Sequence, residues 1–229
     1  FKCENGKVGR NVIGMVPSAI PSDEYVIISA HYDHIGALNG FVYNGADDNA
    51  SGVTALMNLA EMFGSMRKAK MGPDKNIIFV AFDAKEMSMA GSRHFVKNLS
   101  IPKGKITCAI NMDQIGSTLE PVHEGIKDYL IILGENTLKK EDRGKIGLCN
   151  RFYNIHLDID YTFYSSEAFT TLYYKLSDQV AFQEAQIPAL LLTSGFHSHT
   201  YKISDDIDLI SYPTLKKRTV LVFYFVMML

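Results

Sequence analysis

The sequence predicts a single α/β domain of three layers, a mostly parallel mixed central sheet covered by helices on both faces. Three observations carry this prediction. Continuous apolar runs recur at Tyr25–Ala30, Asn76–Phe82, Thr107–Met112 and Ala189–Thr193, which is the pattern of strands buried on both faces. Segments of helical periodicity alternate with these runs, the arrangement that gives parallel strands with crossover helices. No repeat, low-complexity stretch or linker interrupts the 229 residues, so residues 1–229 read as one domain with a large core.

Taken in order, Asn11–Val16 is a short apolar segment ended by Pro17, an edge strand. A turn at 20–23 leads into the buried run Tyr25–Ala30, and residues 36–45 form a Gly- and Asn-rich loop. From Ala50 the period changes: Val53, Leu56, Met57, Ala60 and Phe63 share one helical face, with Asn49 or Ser51 as the cap. Met71-Gly72-Pro73-Asp74 ends that helix, strand Asn76–Phe82 follows, and Gly91–Leu99 is helical. After strands Thr107–Met112 and Tyr129–Leu133, the charged stretch 136–153 reads as a helix weakened by Gly144 and Gly147. Leu157–Tyr161 alternates as a strand does, Asp178–Ala185 is helical, and Ala189–Thr193 is a buried strand. Pro213–Met228 forms the last helix, with Pro in its first turn.

Composition narrows the function. Formal net charge is −2, so no basic surface points to nucleic acid or to an anionic membrane. Cys3, Cys108 and Cys149 allow at most one disulfide and lack the CxxC spacing of a sulfur-ligated zinc site. No apolar run reaches the length of a membrane span, and no Gly-x-Ser-x-Gly elbow points to a serine hydrolase. The chain starts at Phe1 without Met, which leads to the expectation that an N-terminal leader segment has been removed.

Chemistry gathers at the strand ends. His31 and Asp33 follow the first buried strand, and Asp47 and Asp48 lie in the next loop. Glu86 follows the second strand, Asp113 the third, and His197 and His199 follow Ala189–Thr193. Ligands of open α/β sheets bind beyond the carboxyl ends of the strands. Imidazoles and carboxylates delivered there together suit a borderline divalent metal.

These pieces occur in a recognisable order: His31-Tyr32-Asp33, then Gly45-Ala46-Asp47-Asp48-Asn49-Ala50-Ser51-Gly52, then Glu86 five residues before Gly91-Ser92, Asn111-Met112-Asp113-Gln114-Ile115-Gly116, and a late His. The set resembles the co-catalytic di-zinc aminopeptidases, whose family also holds glutaminyl cyclases, glutamate carboxypeptidases and the transferrin-receptor ectodomain. The resemblance implies a zinc-exopeptidase-like fold, two zinc ions, a peptide substrate cut at its N-terminus, and an extracytoplasmic location, periplasmic or secreted. It implies that Asp47 bridges the metals and is followed by a cis peptide bond, Asp47–Asp48. His31 and Asp113 would hold one zinc, and Glu86 and His197, or alternatively His199, the other. Asp33 would fix the His31 tautomer through its other ring nitrogen, and Asp178-Gln179 would meet the substrate amino group.

Two departures from the family pattern stand out. The general-base Glu of the pattern is replaced by Lys85. Two dications beside it would lower its pKa and allow a neutral amine to act as base; a protonated amine instead marks a binding site with little or no turnover. The second departure is the late histidine, where the Asp of the usual His-Thr-x-x-Asp comes two residues late. Phe163, Tyr164, Phe169, Tyr173 and Tyr174 are candidates for an aromatic specificity pocket, or else for core.

Overall fold

The computed structural model describes residues 1–3 and 6–229. In chain order the elements are β1 Val12–Val16, β2 Tyr25–His31, β3 Gly36–Leu38, β4 Phe41–Tyr43, α1 Gly52–Lys68, β5 Asn76–Phe82, α2 Ala90–Lys97 and β6 Ile106–Met112. They continue with β7 Tyr129–Leu133, α3 Lys145–Phe152, β8 Asp158–Asp160, α4 Glu167–Tyr173, α5 Gln179–Glu184, β9 Ala189–Thr193 and α6 Tyr212–Met228. The main sheet runs β1-β5-β2-β6-β9-β7-β8. Its centre, β5-β2-β6-β9, is parallel, whereas β1 pairs antiparallel with β5 and β7 antiparallel with β9. This is the mixed, mostly parallel sheet that the alternating runs predict.

The period of two in β2 explains both layers. Val26, Ile28 and Ala30 face a core shared with Leu59 and Phe63 of α1 and Leu221, Val222 and Phe225 of α6. Ile27, one position out of phase, joins Val80, Phe82, Val96 of α2 and Phe182 of α5 on the opposite face. Every residue from Val26 to Ala30 is fully buried, and each Val or Ile so placed is worth roughly 1.5–3 kcal/mol of transfer free energy.

Three expectations need adjustment. Residues 36–45 are not plain loop, because β3 and β4 form a small hairpin there. The helix read over 136–153 is confined to α3, since Gly144 has φ 78°, the left-handed region, and stops the helix from extending toward the N-terminus. Helix α4 lies in the aromatic stretch that had no element assigned. The three cysteines are free and buried, and among the described residues no helix is long and apolar enough to cross a membrane.

One polar side chain ties α6 to the loops beneath the site. Arg218 is buried, and its guanidinium donates to the carbonyls of Ile115, Ser117 and Tyr129 at 2.7–2.8 Å. Arg218→Met leaves those three acceptors buried without donors, and each such loss costs about 1–3 kcal/mol. Urea unfolding of this variant should therefore show a loss of about 3 kcal/mol or more. A loss below about 1 kcal/mol would mean that the loops find other donors.

Candidate metal centre

Parallel pairing of β2 with β6 brings their carboxyl ends side by side. His31, the last residue of β2, thereby meets Asp113 just beyond β6, with Nε2 3.2 Å from Asp113 Oδ1. The same Nε2 lies 3.3 Å from Asp48 Oδ1. Asp48 and His31 are fully buried and Asp113 nearly so, and one ligand atom from each falls within a 4.8 Å group.

The loop that supplies Asp48 is held from three sides. Both oxygens of Asp205 accept from the backbone N–H groups of Asp47 and Asp48, at 2.9 and 3.0 Å. Asn49 Nδ2 donates to the Met112 carbonyl at 2.9 Å, while its Oδ1 accepts from Gln114 N and Gly52 N at 3.0 and 3.2 Å. A Cβ at Gly52 would stand 2.5 Å from Asn49 Oδ1 and 2.7 Å from the Met112 carbonyl, so only glycine lets α1 start this close to β6.

Several expected placements are corrected. The cis peptide bond is Asp48–Asn49, not Asp47–Asp48. Asp47 does not join the His31 group: its carboxylate accepts from Gly116 N (2.6 Å), Ser117 N (3.2 Å) and Ser51 Oγ (3.0 Å), and meets His197 Nε2 at 3.1 Å. Asp48 occupies the position expected of Asp47. His197 is thereby committed to Asp47, and His199 turns to Ser204 Oγ at 2.9 Å, so neither late histidine comes to Glu86. Asp33 does orient His31, but through its backbone carbonyl, which accepts from Nδ1 at 3.0 Å. Its carboxylate lies 3.7 Å from the same Nδ1 and also accepts from the backbone N–H groups of Lys85 and Glu86, at 3.0 and 3.1 Å.

Asp178 and Gln179 are fully buried and cannot meet a substrate amine. Gln179 lies under the site, bonded to the Tyr174 carbonyl and accepting from Asn111 Nδ2 at 3.1 Å. Asn111 also reaches Ser177, whose hydroxyl donates to Asp113, so this buried chain sets the angle of Asp113.

Two residues of the centre escaped the sequence reading. His34 groups with Asp48 and Glu86 within 4.8 Å, and neither of its buried ring nitrogens has a hydrogen-bond partner. Its spacing of three from His31, at one strand end, was the available signal. Tyr201 puts its hydroxyl 3.3 Å from Lys85 Nζ, and nothing local in the sequence announces it.

Lys85 sits in the middle. Its Nζ is 3.5 Å from Asp48 Oδ1, 3.5 Å from Glu86 Oε1 and 3.7 Å from Asp113 Oδ2. Burial works against the ammonium charge, but Asp113, Asp48 and Glu86 outweigh it and hold the lysine well above its usual range. Without a metal, these surroundings favour the charged amine. His31 behaves similarly: burial opposes its charge, and Asp113, Asp33 and Asp48 together raise its pKa well above the ordinary imidazole value. Burial raises the Glu86 carboxyl, an effect that Lys85 opposes.

The His31 set suits zinc on its own geometry. Ligand atoms about 2.0–2.1 Å from a tetrahedral zinc stand about 3.3 Å apart, which matches the 3.2 and 3.3 Å separations from Nε2 to the two carboxylates. Because Nδ1 donates to a carbonyl that can only accept, Nε2 faces two acceptors and needs a proton or a cation between them. Asp48 Oδ2 is also buried without a partner, as a carboxylate oxygen beside a cation site would be. Beside this set opens a pocket walled by Phe163, Tyr173, Leu176, Leu191 and Phe196, with Lys85 and Asp113 at its polar end. Of the expected aromatic residues, Phe163 and Tyr173 line it, whereas Phe169 is exposed and the Tyr174 hydroxyl is spent on the Ala189 carbonyl.

An open α/β sheet with His and Asp ligands at the carboxyl edge and an apolar pocket beside them defines a metallopeptidase type of site. The chain belongs to peptidase family M28, whose family model matches residues 11–226. Aminopeptidase YwaD of Bacillus subtilis is 31% identical over 126 residues, covering 54% of this chain and 26% of that protein. A glutamate carboxypeptidase 2 homolog of Caenorhabditis elegans is 32% identical over 108 residues, or 46% of this chain and 13% of that protein. Among solved structures, the zinc aminopeptidase BSAP from Bacillus subtilis superposes with a TM-score of 0.72 at 23% identity, over 94% of this chain and 49% of that one. Porphyromonas gingivalis glutaminyl cyclase gives 0.69 at 17% identity, over 98% and 80%. The chain thus matches 26% and 13% of the length of these curated relatives and about half of BSAP. Zinc is the metal that this family implies.

The two adjacent aspartates should separate cleanly. Asp47→Ala leaves the N–H groups of Gly116 and Ser117 without an acceptor and should lower metal-free stability by about 3 kcal/mol in urea unfolding. Asp48→Asn should lower zinc affinity at least about 100-fold by competitive chelator titration, an effect at the top of the range for lost supporting groups. The reverse pattern would restore Asp47 to the metal.

Proposed function

We propose that this chain carries the active site of a zinc-dependent exopeptidase that removes N-terminal residues from peptides, with zinc held by His31, Asp48 and Asp113. The observation that carries the reading is the His31–Asp48–Asp113 group at zinc-ligand spacing, at the mouth of an apolar pocket. Zinc, when bound, supplies Lewis-acid polarisation of the scissile carbonyl.

The chain's own residues support the remaining steps. Phe163, Tyr173, Leu176 and Phe196 line an apolar cleft of about 20 Å³ beside the ligands, so an apolar first side chain enters it only as these walls move apart. The carboxylate of Glu86, the one with solvent access, gives the peptide's amino group a negative partner. Glu86 has a side chain 24% exposed and a pKa raised by burial, so it can take a proton from water and hand it to the leaving amine. Lys85, held as an ammonium, contributes a positive charge where negative charge develops on the carbonyl oxygen.

One observation favours a second reading. With Lys85 in place of the family's base, the domain would bind peptide N-termini without cleaving them. Turnover of aminoacyl-anilides and short peptides by the zinc-loaded protein separates the two. The exopeptidase reading expects measurable turnover with a preference for apolar first residues, and a fall of at least about 100-fold for Asp113→Ala and for Glu86→Gln, the scale of a lost acid–base group. Saturable peptide binding with no turnover in the parent protein would establish the binding reading.

A further inference from the structure

We infer that Lys85 is the second cation of this centre: its ammonium group takes the place of a second metal, so that the chain holds a single zinc, at His31, Asp48 and Asp113. This rests on the zinc reading above and goes beyond it, because the resemblance implies two ions.

The geometry carries the inference. The residues available for a second ion are His34, Asp48 and Glu86. Lys85 Nζ stands 3.5 Å from each of these two carboxylates, and its side chain is almost fully buried. The amine is held there on several sides. The Lys85 backbone N–H is bonded to Asp33, Tyr201 presents its hydroxyl at 3.3 Å, and the Tyr201 ring centre lies 5.4 Å from Nζ. The late histidines, which the resemblance assigns to the second ion, are engaged with Asp47 and Ser204.

Charge counting agrees. The three carboxylates within 4 Å of Lys85 Nζ, Asp48, Asp113 and Glu86, bring three negative charges, and one dication with one ammonium brings three positive ones. A second dication beside a retained ammonium would leave two positive charges in excess in a buried site, which desolvation penalises heavily. Glu86 thereby becomes the partner of Lys85 rather than a metal ligand, which leaves it free for proton transfer.

The test is metal content by elemental analysis after zinc loading and gel filtration, on the parent chain and on Lys85→Glu and Lys85→Met. The inference expects about one zinc in the parent and about two in both variants, the methionine showing that loss of the ammonium, not gain of a ligand, is responsible. Two zinc ions in the parent, or no increase in the variants, would overturn it. Two in the parent leaves the zinc reading standing, whereas no zinc in any form removes both. Should the variants fail to fold, cobalt(II) titration of the parent decides. Visible absorption saturating near one equivalent with an uncoupled spin signal supports the inference, and a spin-coupled pair overturns it.

Discussion

Buried carboxylates that face one another need a cation between them, and the centre of this protein is arranged around that requirement. Asp48 and Asp113 are withdrawn from water at the carboxyl edge of the sheet, where the ends of β2 and β6 and the start of α1 converge. Asn49 bonds to the ends of both strands and to the first turn of α1, and Asp205 accepts from the consecutive N–H groups of Asp47 and Asp48. These neutral and charge-assisted contacts fix the loop independently of any ion. What they leave unsatisfied is charge, and Lys85 lies where it can answer part of it.

That arrangement alters the chemistry expected of the fold. In the pattern that the sequence resembles, a carboxylate stands beside the metals and takes the proton. Here the neighbouring position carries an ammonium, and the carboxylate next to it, Glu86, is the group with solvent access. Charge and proton acceptor have in effect exchanged neighbours along the chain. On the single-zinc reading, one dication and one ammonium answer the carboxylates around them, and Glu86 stands beside Lys85 at the solvent side. Buried groups behind the site, from Gln179 through Asn111 and Ser177 to Asp113, hold the ligand angle without touching substrate.

The fold was legible because burial on both faces leaves a strong mark: β2, β5, β6 and β9 are continuous apolar runs, and α1 and α6 have clear boundaries. Elements on the surface were less so. The β3–β4 hairpin is three residues a side with little burial, and α4 is a seven-residue helix with no buried position, so neither shows a period. At the site, His31, Glu86 and Asp113 were found because each directly follows a strand, and the strand ends coincide in space. Asp47 was assigned to the metals although Asp48 is the one that meets His31, since the bend between Gly45 and Gly52 has no regular period to say which carboxylate points inward. His34 escaped the sequence reading because its partners, Asp48 and Glu86, come from other segments. Tyr201 enters from a loop more than a hundred residues from Lys85, and only the tertiary structure brings them together.

The central claim concerns which cations occupy this centre, and diffraction at the zinc edge tests it most directly. Crystals grown with zinc should show a single anomalous peak bounded by His31 Nε2, Asp48 and Asp113, with Lys85 Nζ still lying among Asp48, Glu86 and Tyr201. Two peaks about 3.5–4 Å apart, the separation of a two-metal site, with the lysine swung away, would contradict the account. So would the absence of any peak within bonding distance of His31.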